Sequence, residues 1–173
     1  MKIGCLNIAK GLHTKSAVLE EILVKNSFDI LSLLETDYPI NVSAPRINGY
    51  HVPITHMNTS NYTRLVCYVK EETAFTKLDE SSIHNFDDAP PHISIDLRTI
   101  RVTFIYNEHT KNAYATSGNT KLCPKTRLNR LRELLTDLNP TNKKHLVLGD
   151  MNIDILKKVP VVLRYAETLA NIV

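Results

Sequence analysis

Cysteine is scarce in this 173-residue chain: there are three, Cys5, Cys67 and Cys123. They are odd in number, far apart and never in Cys-x-x-Cys spacing, which argues against a disulfide framework or a thiolate zinc site. Cys5 and Cys67 lie inside apolar runs and read as buried, reduced thiols. No stretch reaches the roughly 18 consecutive apolar residues of a membrane-spanning helix. The opening Met-Lys-Ile-Gly-Cys-Leu-Asn also lacks the apolar core of a signal peptide. The chain therefore reads as intracellular, with no membrane partner. The glycosylation sequons at Asn41, Asn58 and Asn61 carry little weight in that setting. A dominant charge is missing too: 21 Lys and Arg against 18 Asp and Glu leave a net charge of +3. That is compatible with nucleic acid without requiring it. The absence of Trp decides nothing. Repeats, low-complexity tracts and interdomain linkers are also absent.

What is present is an ordinary globular composition, 43% hydrophobic and 23% charged, long enough for a single domain, 1–173, with a real core. Lys2 to Ile8 reads as a strand, with Ile3 and Cys5 on one face and Leu6 and Ile8 on the other. Ser16 to Lys25 reads as an amphipathic helix striped by Val18, Leu19, Ile22 and Leu23, with Thr14 or Ser16 to cap it. Phe28 to Leu34 is an apolar strand stopping at Glu35-Thr36-Asp37. Tyr50 to Ile54 and Leu65 to Val69 are further strands, and Glu71 to Pro91 looks irregular. His92 to Leu97 and Arg101 to Tyr106 alternate as a β-hairpin does. Thr126 to Leu138 is a leucine-striped helix followed by Pro140, and Val161 to Ile172 is a weaker helical segment. Leu146 to Leu148 reads as a strand buried on both faces, ended by Gly149. Hairpins mixed with helical crossovers predict an α/β fold with a mixed sheet, or two packed sheets, covered by helices.

The chemistry gathers at strand ends. Asn7, Glu35, Tyr106-Asn107, and Asp150 with Asn152 all finish apolar strands, where an unpaired amide or carboxylate is costly. If these ends meet, they form a cleft of two carboxylates, two or three amides and a phenol. Such a set suits a hard cation such as Mg²⁺, which polarises a phosphoryl oxygen while a carboxylate orients or deprotonates water and amides and a phenol bind phosphate oxygens.

The pieces LNIAKGL (6–12), FDILSLLET (28–36), INGYHV (47–52), RLVCYVK (64–70), VTFIY (102–106) and LVLGDMNIDILK (146–157) resemble, in order and spacing, the endonuclease/exonuclease/phosphatase (DNase I-like) superfamily. Within it they are most similar to the apurinic-type endonuclease domain of non-LTR retrotransposon reverse-transcriptase proteins. The resemblance implies a two-sheet α/β sandwich of mixed sheets flanked by helices. It implies Mg²⁺-dependent nicking of DNA (Mn²⁺ as a substitute) in the nucleus, beside a downstream reverse transcriptase. Glu35 is then the main metal ligand. Asn7 helps bind metal or phosphate, Asp150 activates the water near the metal, Asn152 holds water or phosphate, and Tyr106 contacts the scissile phosphate. Two departures stand out. Asn107-Glu108-His109 replaces a Pro-bearing segment, and the family's closing Ser-Asp-His segment has no counterpart before Val173. The resemblance thus implies a C-terminally incomplete domain lacking its last strands, with little nuclease activity alone, and leaves His109 as the one histidine to test as a substitute.

Plainer readings stand beside these. Glu35 alone is an ordinary strand-end carboxylate, Asp150 and Asn152 make an Asx turn or a helix cap, and Tyr106 is an edge residue with a wet hydroxyl. Lys121, Lys125, Arg127, Arg130 and Arg132 could grip DNA phosphates, though a solvated helix face is the plainer account. His51, His56, His84 and His92 read as surface or loop residues. An abasic-site nuclease, a phosphatase of the same superfamily, and a non-catalytic remnant acting as a binding module are the competing functions.

Overall fold

A computed structural model describes residues 1–57, 62–79, 89–107, 124–140 and 142–152. The expected helix over 161–172 lies outside them. Within them are eight strands: β1 (Ile3–Asn7), β2 (Ile30–Pro39), β3 (Ile54–Met57), β4 (Tyr62–Val69), β5 (Thr76–Lys77), β6 (His92–Asp96), β7 (Ile100–Tyr106) and β8 (Lys144–Asp150). Two helices accompany them, α1 (Ser16–Asn26) and α2 (Pro124–Leu138). The strands form two four-stranded sheets, ordered β1-β2-β4-β3 and β5-β6-β7-β8.

Each sheet is built on the same plan. β1 and β2 run parallel and are joined through α1, and β7 and β8 run parallel and are joined through α2. Antiparallel strands complete each sheet. Period-2 alternation sorts the side chains into three apolar layers. Leu31, Leu33, Tyr38, Val66 and Tyr68 face Leu19 and Leu23 of α1. Ile30, Leu34, Leu65, Cys67, Ile93, Ile95, Val102 and Phe104 fill the space between the sheets. Ile105 meets Leu128, Leu131, Leu134, Leu135 and Leu138 of α2. The result is a four-layer α/β/β/α sandwich, and the expected hairpin is present with Ile93 opposite Phe104. Cys5 and Cys67 are free thiols, half-buried and buried. Among the described residues no helix is long and apolar enough to cross a membrane.

Several expectations are corrected. β2 does not stop at Glu35 but continues to Pro39 through a register shift between Leu34 and Tyr38. The strand expected over Tyr50 to Ile54 starts at Ile54, and Tyr50 makes only an isolated bridge to Lys70. The region after Glu71 contains the short strand β5. Neither Thr14 nor Ser16 caps α1: the chain enters through a 3-10 turn, His13–Lys15, and Val18 is exposed. α2 begins two residues early, at Pro124, because proline suits a first helical turn whose N–H groups have no partner. Leu146 to Leu148 is not buried on both faces. β8 has one neighbour among the described strands, leaving Leu146 exposed and Leu148 half-buried.

Gly149 does not end β8 but lets it pass. A Cβ there would lie 1.9 Å from Ile105 O, inside the β7–β8 ladder. Gly149→Ala is therefore expected to cost more than about 2 kcal/mol by forcing the two strands apart, read as a lower urea midpoint.

Under α2, Asp96 accepts two bonds from Arg101 (2.6 and 3.0 Å) while Arg101 also caps Leu138 O at 2.6 Å. Beside them His145 Nε2 meets Thr103 Oγ1 at 2.8 Å, and its Nδ1 is buried with no partner among the described residues. Burial, then the Arg101 charge, holds the His145 imidazole below its ordinary 6.5, with Asp96 pulling the other way. The unfolded chain then binds this proton more readily than the folded one. Stability is full above pH 6.5 and falls as pH drops below it. His145→Gln should flatten that acid limb in urea titrations between pH 7 and pH 5, and an unchanged slope would show that other groups cause it.

Candidate active site

The parallel pairs set the site. In both sheets the strands flanking the helical crossover point their carboxyl ends the same way, where α/β folds place their ligands. Asn7 ends β1 opposite Leu34, one residue before Glu35 on β2. Tyr106 ends β7 directly opposite Asp150 on β8. Two side-chain bonds then cross between the sheets: Asn7 Nδ2 donates to Asp150 Oδ2 (3.0 Å) and Tyr106 Oη donates to Glu35 Oε1 (2.5 Å).

Local backbone aims these groups. Glu35 takes a left-handed φ of 53° inside the β2 register shift, a bulge of the type that redirects a side chain. Asp37, two residues on, is also left-handed (φ 42°) and is held by Arg64 and by Lys10 at 3.5 Å. Asn152 has φ 50°, so it does not extend β8 as strand geometry alone would place it. Instead its N–H donates to Asp150 Oδ1 (2.9 Å), the Asx turn of the plainer reading. Asn107, a strand-end amide that the sequence offered to the cleft, is instead fully buried and locks the end of β8. Its Nδ2 donates to Met151 O (3.0 Å), its carbonyl accepts Asn152 Nδ2 (2.8 Å), and its N–H meets Asp150 O at 2.8 Å.

Asn7, Glu35, Tyr106, Asp150 and Asn152 are thus brought together as expected. Of the expected DNA-gripping residues, Arg130 sits half-buried on α2. Lys121 lies outside the described residues, as do the side chains of Lys125 and Arg127. His109 lies outside them too. His56 and His92 are not surface residues: both are buried, with ring centroids 5.4 Å apart. His56 sits on β3 and His92 at the start of β6, where strand-end polarity gave no hint of burial.

The donor set fits a hard cation. Among the described residues no three His, Cys, Asp or Glu side chains gather, so protein oxygens would come from two carboxylates and an amide, with water completing the shell as for Mg²⁺. Glu35 Oε2 makes no hydrogen bond among the described residues, whereas each Asp150 oxygen already holds a donor. Burial and the nearby Asp150 charge push the Cys5 thiol up to about 12, which removes it as a nucleophile or metal ligand at neutral pH.

This arrangement is a DNase I-like fold, two mixed sheets flanked by helices. Among solved structures it is similar to the 3′ phosphatase NExo from Neisseria bound to product DNA hairpin, at 18% identity and a TM-score of 0.66, over 99% of this chain and 71% of that one. It is similar to the endonuclease domain of TRAS1, a telomere-specific non-LTR retrotransposon, at 12% identity and a TM-score of 0.61, over 97% and 70%. It is also similar to an AP endonuclease from Archaeoglobus fulgidus, at 18% identity and 0.59, over 99% and 70%. No family model and no curated protein matches the sequence. At these identities the likeness establishes the fold.

Tyr106→Phe should lower stability by about 1.5–3 kcal/mol, the usual worth of a hydrogen bond to a charged group. Urea unfolding checks this, and a change under about 0.5 kcal/mol would mean that water replaces the phenol at Glu35.

Proposed function

We propose that this chain is the DNA-nicking endonuclease domain of a retroelement-like protein, hydrolysing a phosphodiester with the help of a divalent cation. The observation that carries this reading is the pair of inter-sheet bonds, Asn7 to Asp150 and Tyr106 to Glu35. They assemble at one sandwich end the groups that phosphodiester hydrolysis needs. Glu35, with Asn7 and Asp150 beside it, would hold Mg²⁺ or Mn²⁺. The bound cation would supply charge neutralisation at the phosphoryl oxygens. Asp150, its carboxylate steadied by Asn7 and Asn152, would orient the attacking water and take its proton. Asn152 would hydrogen-bond the phosphate oxygens as charge builds on them, and Tyr106 would do so by turning its one hydroxyl proton from Glu35 to the phosphate. Lys121, Lys125, Arg127 and Arg130 would grip the flanking DNA backbone. On this reading residues 1–173 belong to one domain, a reverse transcriptase accompanies it in the same polypeptide, and its target is nuclear DNA.

A second reading, an abasic-site nuclease or phosphatase with the same site residues, is favoured by the names of two of the similar structures, a 3′ phosphatase and an AP endonuclease. Parallel assays on supercoiled plasmid, an abasic duplex and a 3′-phosphorylated duplex separate the two.

In the protein carrying this domain, Glu35→Ala and Asp150→Ala should each reduce Mg²⁺-dependent plasmid nicking by about 100-fold or more. Undiminished nicking by both overturns the assignment. For residues 1–173 alone, calorimetry should show a Mg²⁺ site that Glu35→Gln abolishes. A folded chain without such a site would favour a non-catalytic binding module.

A further inference from the structure

The segment between β1 and the 3-10 turn holds three consecutive left-handed residues, Ala9 (φ 48°), Lys10 (φ 72°) and Gly11 (φ 75°). Only glycine adopts this conformation at little cost, so something must hold Ala9 and Lys10 there. On one side the turn serves the cleft: Ala9 N–H donates to Asn7 Oδ1 (2.9 Å) and Lys10 N–H donates to Glu35 O (2.7 Å). On the other side its carbonyls converge on Lys15. The Lys15 ammonium donates to Lys10 O (2.8 Å) and to Ile8 O, while Gly11 O takes Thr14 Oγ1 (2.9 Å) and the Lys15 N–H (3.2 Å). Lys15 makes no ion pair among the described residues. It also occupies the N-cap position of α1, where the helix dipole disfavours a positive charge. The two carbonyls are what compensate its placement.

We infer that Lys15 is a positioning residue for the cleft: its ammonium straps the left-handed turn whose amides fix the Asn7 side chain and the Glu35 backbone. The strap itself rests on geometry alone, and its consequence for cation binding rests on the proposed reading of the site. The plain alternative is a solvated lysine whose loss leaves the turn intact.

Lys15→Met keeps the aliphatic stem and removes the donors. Amide hydrogen exchange should speed up about tenfold or more at Ala9 and Lys10, while the β4 amides of Leu65 to Val69 and the urea midpoint stay unchanged. The Mg²⁺ concentration that half-shifts the Asn7 side-chain NH₂ resonance should rise about tenfold, as when a group supporting a metal ligand is lost. Lys15→Arg should restore most of both. Unchanged exchange at Ala9 and Lys10 overturns the proposal, as does an equal acceleration throughout β4. Faster exchange with an unaltered Mg²⁺ midpoint overturns the positioning role. If Mg²⁺ shifts no Asn7 signal even in the unsubstituted protein while Lys15→Met still frees the turn, the strap stands and the cation reading of the cleft fails.

Discussion

Two hydrogen bonds across the gap between the sheets, Asn7 to Asp150 and Tyr106 to Glu35, tie register and site into a single constraint. Tyr106 and Asp150 are ladder partners, and Asn7 pairs with the residue before Glu35. The four groups therefore form a closed ring, with two sides made of backbone pairing and two of side-chain bonds. A slip of one residue in either parallel pair would turn an end group to the opposite face. The slipped ring would leave a carboxylate at the sandwich mouth without its donor, a cost that the apolar layers alone would not impose. The layers fix which faces meet, and the ring fixes how far each strand slides.

This end of the molecule also concentrates backbone strain. Among the described residues six non-glycine positions have positive φ, and five of them, Ala9, Lys10, Glu35, Asp37 and Asn152, lie at the cleft. The sixth, Ser27, is an ordinary helix C-cap. Each such residue costs of order 1–3 kcal/mol and persists only where its surroundings over-determine it, and such residues cluster where function needs a fixed geometry. Here the surroundings do so. Asn152 is held through Asp150 and Asn107, Asp37 through Arg64 and Lys10, and Ala9 through Asn7. Gly149 fits the same pattern from the opposite direction, since no side chain can stand between β8 and Ile105.

Asn7, Glu35, Tyr106 and Asp150 were legible because each follows an apolar strand, and helical crossovers bring the carboxyl ends of parallel strands to one side. The structural part of Asn107 was not, because its side chain turns from the cleft to the backbone of Met151 and its carbonyl takes the Asn152 amide, bonds that strand-end position does not report. A lone amide after a strand looks like the start of a loop. His56 and His92 were misplaced for a related reason: their burial comes from the meeting of β3 and β6, which periodicity within either strand does not report. The run Leu146 to Leu148 misled in the opposite sense. An apolar run records what a strand can tolerate, and how many neighbours it has is set by the rest of the sheet.

The ring also makes the two carboxylates unequal. Asp150 cannot rotate without giving up the Asn7 amide on one oxygen or the Asn152 N–H on the other. Glu35 is restrained through one oxygen only, and its second faces no donor among the described residues. On the proposed reading, a cation arriving with most of its water would need an oxygen that is open and can adjust to it, which Glu35 offers. A water that must attack along one line would need an acceptor whose remaining lone pairs point in a fixed direction, which Asp150 offers. The division of labour proposed for the site thus follows from how many donors each carboxylate already carries. It does not follow from any difference in their chemistry, since a glutamate and an aspartate side chain are otherwise alike.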